Sequence, residues 1–112
     1  MKISEVAEIL HADACCGEEL FDQEVHSSCG ADLMSDVLAI VKDQPVLLTG
    51  LVNPQVIRTA FMMDIRCIAF VRGKKPDAGM TQLAKDNGVV LLTTQYTMYS
   101  ACGRLYAGGL VV

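Results

Sequence analysis

Three short segments of this 112-residue chain combine hydroxyls, glycines and cations in a way that suits an anion. They are Thr49-Gly50-Leu51-Val52-Asn53, Arg72-Gly73-Lys74-Lys75 and Thr93-Thr94. Each follows an apolar run that reads as a strand, and each precedes a helical pattern. Helix N-termini present unpaired N–H groups, and the macrodipole adds partial positive charge. In an open parallel sheet such junctions gather beyond the carboxyl ends of the strands, where ligands bind. Thr49, Gly50 and Asn53 would then hold an anion through N–H and hydroxyl groups. Arg72 and Lys74 would supply charge around the flexible Gly73, and Thr93 and Thr94 would close the pocket. A small phosphate- or carboxylate-bearing molecule fits this chemistry. The same residues also read as ordinary caps and a solvated turn, because no Walker-type or Gly-x-Gly-x-x-Gly pattern is present.

A second group suits contact rather than binding. All three tyrosines lie near the C-terminus. On a helix capped by Thr93 or Thr94 and ending near Ala107, Tyr96, Tyr99 and Tyr106 fall near one face around Gly103. Met98, Ala101, Cys102 and Leu105 form the opposite stripe. Tyrosine gives contact area with a polar tip, and Gly109-Leu110-Val111-Val112 adds an apolar ending. This face reads as a protein interface, with an edge-of-core aromatic cluster as the alternative.

Catalytic chemistry finds little to work with. The two histidines are His11 and His26. His11 falls near the end of the first helix, where a cation complements the dipole. His26 precedes Cys29 by three residues, but a Cys-His dyad needs an orienting group and an oxyanion site, and nothing signals either. His26 and Cys29 could ligate a metal with Cys15, Cys16 or Asp32, although structural zinc shows tighter paired spacings. The five cysteines, an odd number without a Cys-x-x-Cys pair, read as reduced thiols. The chain therefore reads as a non-enzyme without cofactor or metal.

The elements that must position these residues follow from periodicity and caps. Ser4 can cap a first helix through Val6, Ile9 and Leu10. Residues 12–17 and Val25–Ser28 read as short strands around an acidic loop, Glu18–Glu24. Asp32 can cap a helix over Leu33–Val41. Val46-Leu47-Leu48 is a buried strand, and Asn53-Pro54 starts a helix to about Asp64, with Asn as cap and Pro at the first turn. That helix is apolar on most sides, through Val56, Ile57, Ala60, Phe61, Met62 and Met63, which predicts burial on two sides. Cys67–Val71 is the next strand. Asp77 caps a helix that Asn87-Gly88 ends, and Val89–Leu92 is the last strand. Alternating strands and helices imply right-handed crossovers, and continuous apolar strands imply a sheet covered on both faces. The expected fold is a single domain over residues 1–112: three-layer α/β/α with a small, mainly parallel central sheet.

Composition agrees. Apolar residues make up 52% and charged residues 20%, which suits a packed core and not disorder. No apolar run approaches the roughly 18 residues of a membrane span, and the first residues carry no signal-peptide pattern. A soluble, cytoplasmic protein without membrane contact is expected. The net charge is −4, carried unevenly: residues 1–36 sum to −8 and the rest to +4. Nucleic acid is disfavoured as a partner, while a local anion site in the second half is not. A mean hydropathy of +0.36 points to apolar surface buried against a second copy or a partner.

Taken together, these segments resemble the DRTGG domain family in its short stand-alone form. The resemblance rests on Ala31-Asp32-Leu33-Met34-Ser35-Asp36-Val37-Leu38-Ala39 and on Leu48-Thr49-Gly50-Leu51-Val52-Asn53-Pro54-Gln55-Val56-Ile57-Arg58-Thr59-Ala60. It continues through Phe70-Val71-Arg72-Gly73-Lys74-Lys75-Pro76, Leu91-Leu92-Thr93-Thr94-Gln95-Tyr96-Thr97-Met98 and Ala101-Cys102-Gly103-Arg104-Leu105-Tyr106. The literal Asp-Arg-Thr-Gly-Gly pentapeptide is absent. The resemblance implies a fold similar to the N-terminal domain of the histidine-containing-protein kinase/phosphorylase. It also implies a regulatory or dimerising module, with chemistry left to a partner such as a hydrogenase or signalling protein. The combined expectation is a homodimeric, non-catalytic module that senses a small anionic metabolite. A pure interaction subunit without ligand is the alternative.

Overall fold

The computed structural model describes residues 1–40 and 43–112. Among these residues, five α-helices and five strands follow in chain order. They are α1 (Ile3–Ile9), β1 (Asp13–Cys16), β2 (Ser27–Gly30), α2 (Met34–Ile40) and β3 (Pro45–Thr49). The chain continues with α3 (Pro54–Met62), β4 (Cys67–Phe70), α4 (Ala78–Asp86), β5 (Val90–Thr93) and α5 (Met98–Ala107). A single 3₁₀ turn, Glu18–Leu20, interrupts the acidic loop.

The sheet order is β1-β5-β4-β3-β2. Strands β2 to β5 are parallel, and β1 closes the far edge antiparallel to β5, with an irregularity between Ala14 and Cys16. Because the parallel strands add in sequence order, crossovers of one hand must put α2, α3 and α4 on one face. The packing shows this. Leu47, Ile68, Phe70 and Leu91 face Val37, Ile57, Ala60, Met80 and Ala84 of those helices. The alternate residues Val46, Leu48, Ala69, Val90 and Leu92 face Val6 of α1, Leu10 just after it, and Ala101 and Leu105 of α5. The period of two along each strand thus builds two cores, one per face. The fold is the expected three-layer α/β/α arrangement with a mainly parallel sheet.

Caps explain most helix starts. Asn53 Oδ1 accepts the Gln55 N–H at 2.8 Å, and Asp77 Oδ1 accepts the Met80 N–H at 2.8 Å. Helix α4 ends at Asn87, with Gly88 left-handed at φ +67°. Several boundaries differ from expectation. Helix α1 starts after Lys2, so Ser4 lies inside it. Strand β2 lies two residues beyond the expected one. Helix α2 is Met34–Ile40, and Val41 of the expected helix lies outside the described residues. Helix α5 starts after Thr97, whose hydroxyl accepts the Ser100 N–H; Thr93 and Thr94 do not cap it. Helix α3 buries one side only: Phe61 and Met62 are exposed, because no further layer covers that surface.

The turn out of β1 depends on Gly17, at φ +88°. A Cβ there would lie 2.9 Å from Val90 Cα. Gly17→Ala is therefore expected to cost more than about 1 kcal/mol, from both strain and overlap. Equilibrium urea unfolding checks this, and an unchanged midpoint would contradict the account.

Candidate functional site

The β3–α3, β4–α4 and β5–α5 junctions do gather at one edge of the sheet, because their strands are parallel neighbours. Their side chains are turned to internal work. Thr49 is buried, and its hydroxyl donates to Asp32 Oδ1 at 3.2 Å while accepting the Leu51 N–H at 3.1 Å. The Gly50 N–H donates to the same Asp32 oxygen at 2.7 Å. Asp32 therefore ties the β2–α2 loop to the β3–α3 loop instead of capping α2. Asn53 serves as the cap of α3, described above.

Strand β4 leads to Val71 and then to Arg72 and Gly73, both left-handed, at φ +57° and +69°. Glycine takes this conformation freely, whereas it is uncommon for arginine. Hydrogen bonds hold it: the Arg72 N–H donates to the Tyr96 carbonyl and the Gly73 N–H to the Thr94 carbonyl, both at 2.8 Å. The Thr93 hydroxyl donates to the Lys74 carbonyl at 2.7 Å. The Thr94 hydroxyl donates to the Leu10 carbonyl at 2.7 Å. So the β4–α4 and β5–α5 junctions, which diverge to opposite faces, are stitched together at the point where a crevice would open.

Cations remain at this edge. The Arg72 guanidinium lies across Gly50, where a Cβ would meet Arg72 Nη2 at 2.6 Å. Among the described residues, Arg72, Lys74 and Lys75 form no ion pair. The structure thus brings together Thr49, Gly50 and Arg72 around the Asp32 carboxylate. Asn53, Thr93 and Thr94 are committed to internal hydrogen bonds. Sequence reasoning missed Asp32, whose position ahead of a helix is an equally good cap signal.

The tyrosines divide. Tyr99 and Tyr106 are exposed on α5, with Gly103 between them. Tyr96 precedes the helix and is half-buried. Its hydroxyl shares a 3.1 Å hydrogen bond with His11 Nδ1, and the Arg104 guanidinium lies 4.0 Å from its ring centroid. Tyr96 therefore links α1, the basic turn and α5 instead of joining the outer face. His11 is left-handed at φ +47°, just beyond the end of α1.

Among the described residues, His26 and the cysteines form no metal-ligating cluster. His26 Nδ1 lies 3.3 Å from Asp43 Oδ2, and Cys29 is buried in the core beneath α2. Burial raises the thiol pKa of Cys15, Cys16, Cys29 and Cys102, and that of fully buried Cys67 is pushed up to about 12. Thiolate is the reactive form, so this direction opposes nucleophilic or redox use.

With this geometry in place, the comparisons are informative. The DRTGG domain family matches residues 5–107, and the chain belongs to that family. A solved structure of the CBS and DRTGG domains from the regulatory region of a Clostridium perfringens pyrophosphatase, complexed with the activator diadenosine tetraphosphate, has a similar fold. The two are 16% identical with a TM-score of 0.72, covering 93% of this chain and 45% of that one. This chain therefore spans less than half the length of that structure. No curated protein matches in sequence.

Two outcomes follow. Asp32→Ala leaves the buried Thr49 hydroxyl and the Gly50 N–H without their acceptor, and should cost about 1–2 kcal/mol in denaturant unfolding. Asp32→Asn keeps an acceptor and should cost less. For Cys67, the folded-state pKa lies above its unfolded value near 9.0. Its contribution to stability is thus complete below pH 9 and is lost as pH rises toward 12. Cys67→Ala should weaken the alkaline loss of stability; an identical pH profile over that range would contradict the assignment.

Proposed function

We propose that this DRTGG domain is a non-catalytic regulatory module. It binds a small anionic ligand, bearing phosphate or carboxylate, at the carboxyl edge of its sheet and signals to a partner enzyme. The observation that carries this reading is the setting of Asp32. The Gly50 N–H and the Thr49 hydroxyl already hold its carboxyl there, beside a guanidinium that makes no ion pair among the described residues. A donor set that accepts the chain's own carboxylate has the chemistry for an external one. Lys74 and Lys75 add charge at the same edge and raise the local concentration of anions.

The comparison supports the class of role. The related pyrophosphatase region is regulatory, and its bound activator is a polyanionic nucleotide. A ligand regulates only by binding one conformation better than another. Here a contact route leaves the edge: the Arg72 N–H holds the Tyr96 carbonyl, and the Tyr96 ring carries Arg104 of α5. Movement of the basic turn would thus reach α5. The exposed face of α5 is where the module would form a homodimer, through Tyr99, Gly103 and Tyr106. That face also favours the second reading, an interaction subunit that needs no ligand.

Thermal-shift measurements with inorganic phosphate, acetyl phosphate, ATP, diadenosine tetraphosphate and citrate test the first reading. Ligand at about 100 times Kd stabilises the native state by about 2.7 kcal/mol, a shift of several degrees for a domain this size. The shift should disappear in the Arg72→Ala/Lys74→Ala variant while its unliganded unfolding stays cooperative. A blank across the panel would remove the ligand and leave the interaction subunit.

A further inference from the structure

Gly50 has no left-handed backbone that would call for glycine. What claims the space beside it is Arg72. A Cβ at Gly50 would lie 2.6 Å from Arg72 Nη2, 3.4 Å from Arg72 Cζ and 3.5 Å from Asp32 Oδ1. The guanidinium and the carboxylate thus flank one point beside Gly50. They form no ion pair with each other. Both residues are exposed. Two opposite charges stand close together, each held from elsewhere in the chain, and are left unjoined.

The open valences define what would join them. Asp32 Oδ1 is spent on the Gly50 N–H and the Thr49 hydroxyl, while Oδ2 accepts no hydrogen bond among the described residues. A carboxylate only accepts and a guanidinium only donates. A ligand between them must donate on one side and accept on the other. A bare anion satisfies Arg72 but is repelled by Asp32. The donating group must be neutral, because an ammonium so close to the guanidinium would meet like charge. A hydroxyl meets that condition. Other acids leave this balance alone. On the loops of this edge the second acid is Asp77, whose Oδ1 caps α4, and Asp13 starts β1, three strands away from β3.

We infer that this edge selects an anion carrying its own hydroxyl: a hydroxylated phosphate ester or a hydroxy acid. Asp32 Oδ2 accepts from the hydroxyl, and the Arg72 guanidinium holds the phosphate or carboxylate through paired N–H donors. Asp32 is then a specificity determinant as well as a tie between two loops. Gly50 serves the same selection, since its missing Cβ leaves room for the guanidinium beside Asp32. The inference rests on the ligand-binding reading above and narrows the class of ligand.

Isothermal titration calorimetry tests it with pairs of probes matched in charge and length: glycerol 1-phosphate against propyl phosphate, and glycerate against propionate. The hydroxylated member of one pair should bind about tenfold more tightly, as a hydrogen bond to a charged group allows. Which pair shows the preference separates a phosphate ester from a hydroxy acid. Asp32→Asn removes the charge and keeps an acceptor for Gly50. It should abolish the preference and tighten binding of the plain anion. Gly50→Ala keeps the N–H that Asp32 needs, should remain folded by circular dichroism, and should weaken every probe by displacing the guanidinium. The wild-type comparison stands without either variant. Equal affinities within both pairs, or a preference that survives Asp32→Asn, overturn the inference and leave an anion site. If neither hydroxylated probe binds at millimolar concentration, the inference falls, and the thermal-shift panel above decides separately whether the ligand reading falls with it.

Discussion

The hydroxyl of Thr94 holds the carboxyl edge of the sheet together. It is 2% exposed, donates to the Leu10 carbonyl and accepts the Tyr96 N–H at 3.2 Å. The Thr94 backbone adds two bonds, its N–H to the Phe70 carbonyl and its carbonyl from Gly73. One residue thereby joins the end of α1, the end of β4 and the left-handed basic turn. Leu10 needs this partner because its carbonyl ends a helix whose next residue turns left-handed. A buried carbonyl left unmatched costs about 1–3 kcal/mol. Once α1 is pinned, His11 falls beside Tyr96, and Tyr96 in turn receives Arg104. The face formed by α1 and α5 is thus built outward from a single side chain.

The sheet itself was legible because apolar period and chain order are strong signals. Runs such as Val46-Leu47-Leu48 and Val90-Leu91-Leu92 are buried on both faces, as doubly covered strands must be. Asn53-Pro54 and Asp77 marked helix starts correctly because each has an orphan N–H within reach of its side chain. Asp32 carried the same local signal, and the structure uses it otherwise. A carboxylate between a helix start and a neighbouring loop has two sets of donors available. The choice depends on β2–β3 pairing, which is non-local. Thr94 failed as a cap for the same reason: its hydroxyl answers to Leu10, 84 residues away in sequence. The displacement of Tyr96 from the α5 stripe follows directly, since the helix starts at the next available cap, Thr97.

The candidate site was legible in its location but not in its economy of donors. Parallel neighbours had to bring the three junctions together. Sequence gave no measure of how many of their polar groups the fold would consume. Helices α3, α4 and α5 each satisfy an N-terminal N–H with their own cap. What remains is a shallow edge: one carboxylate held by two donors, with arginine and lysines around it. Such an edge suits ligands whose phosphate or carboxylate stays partly in water, and it offers little to an apolar ligand.

This economy also bears on how a signal could leave the edge. The left-handed Arg72 persists because Tyr96 and Thr94 hold the turn from the other side. Strained residues of this kind remain only where surrounding contacts over-determine them. A ligand that draws the Arg72 side chain pulls on a backbone already bonded to Tyr96. The ring of Tyr96 is in turn fixed from above by Arg104 and at its hydroxyl by His11. The turn and the outer helix therefore share one residue, Tyr96, the turn through its carbonyl and the helix through its ring. Coupling through such contacts is ordinarily about 1–3 kcal/mol, enough to shift the exposed surface of α5 without unfolding either element. A domain can act on a partner through such a linkage alone, provided the contacts of α5 differ between the bound and free states.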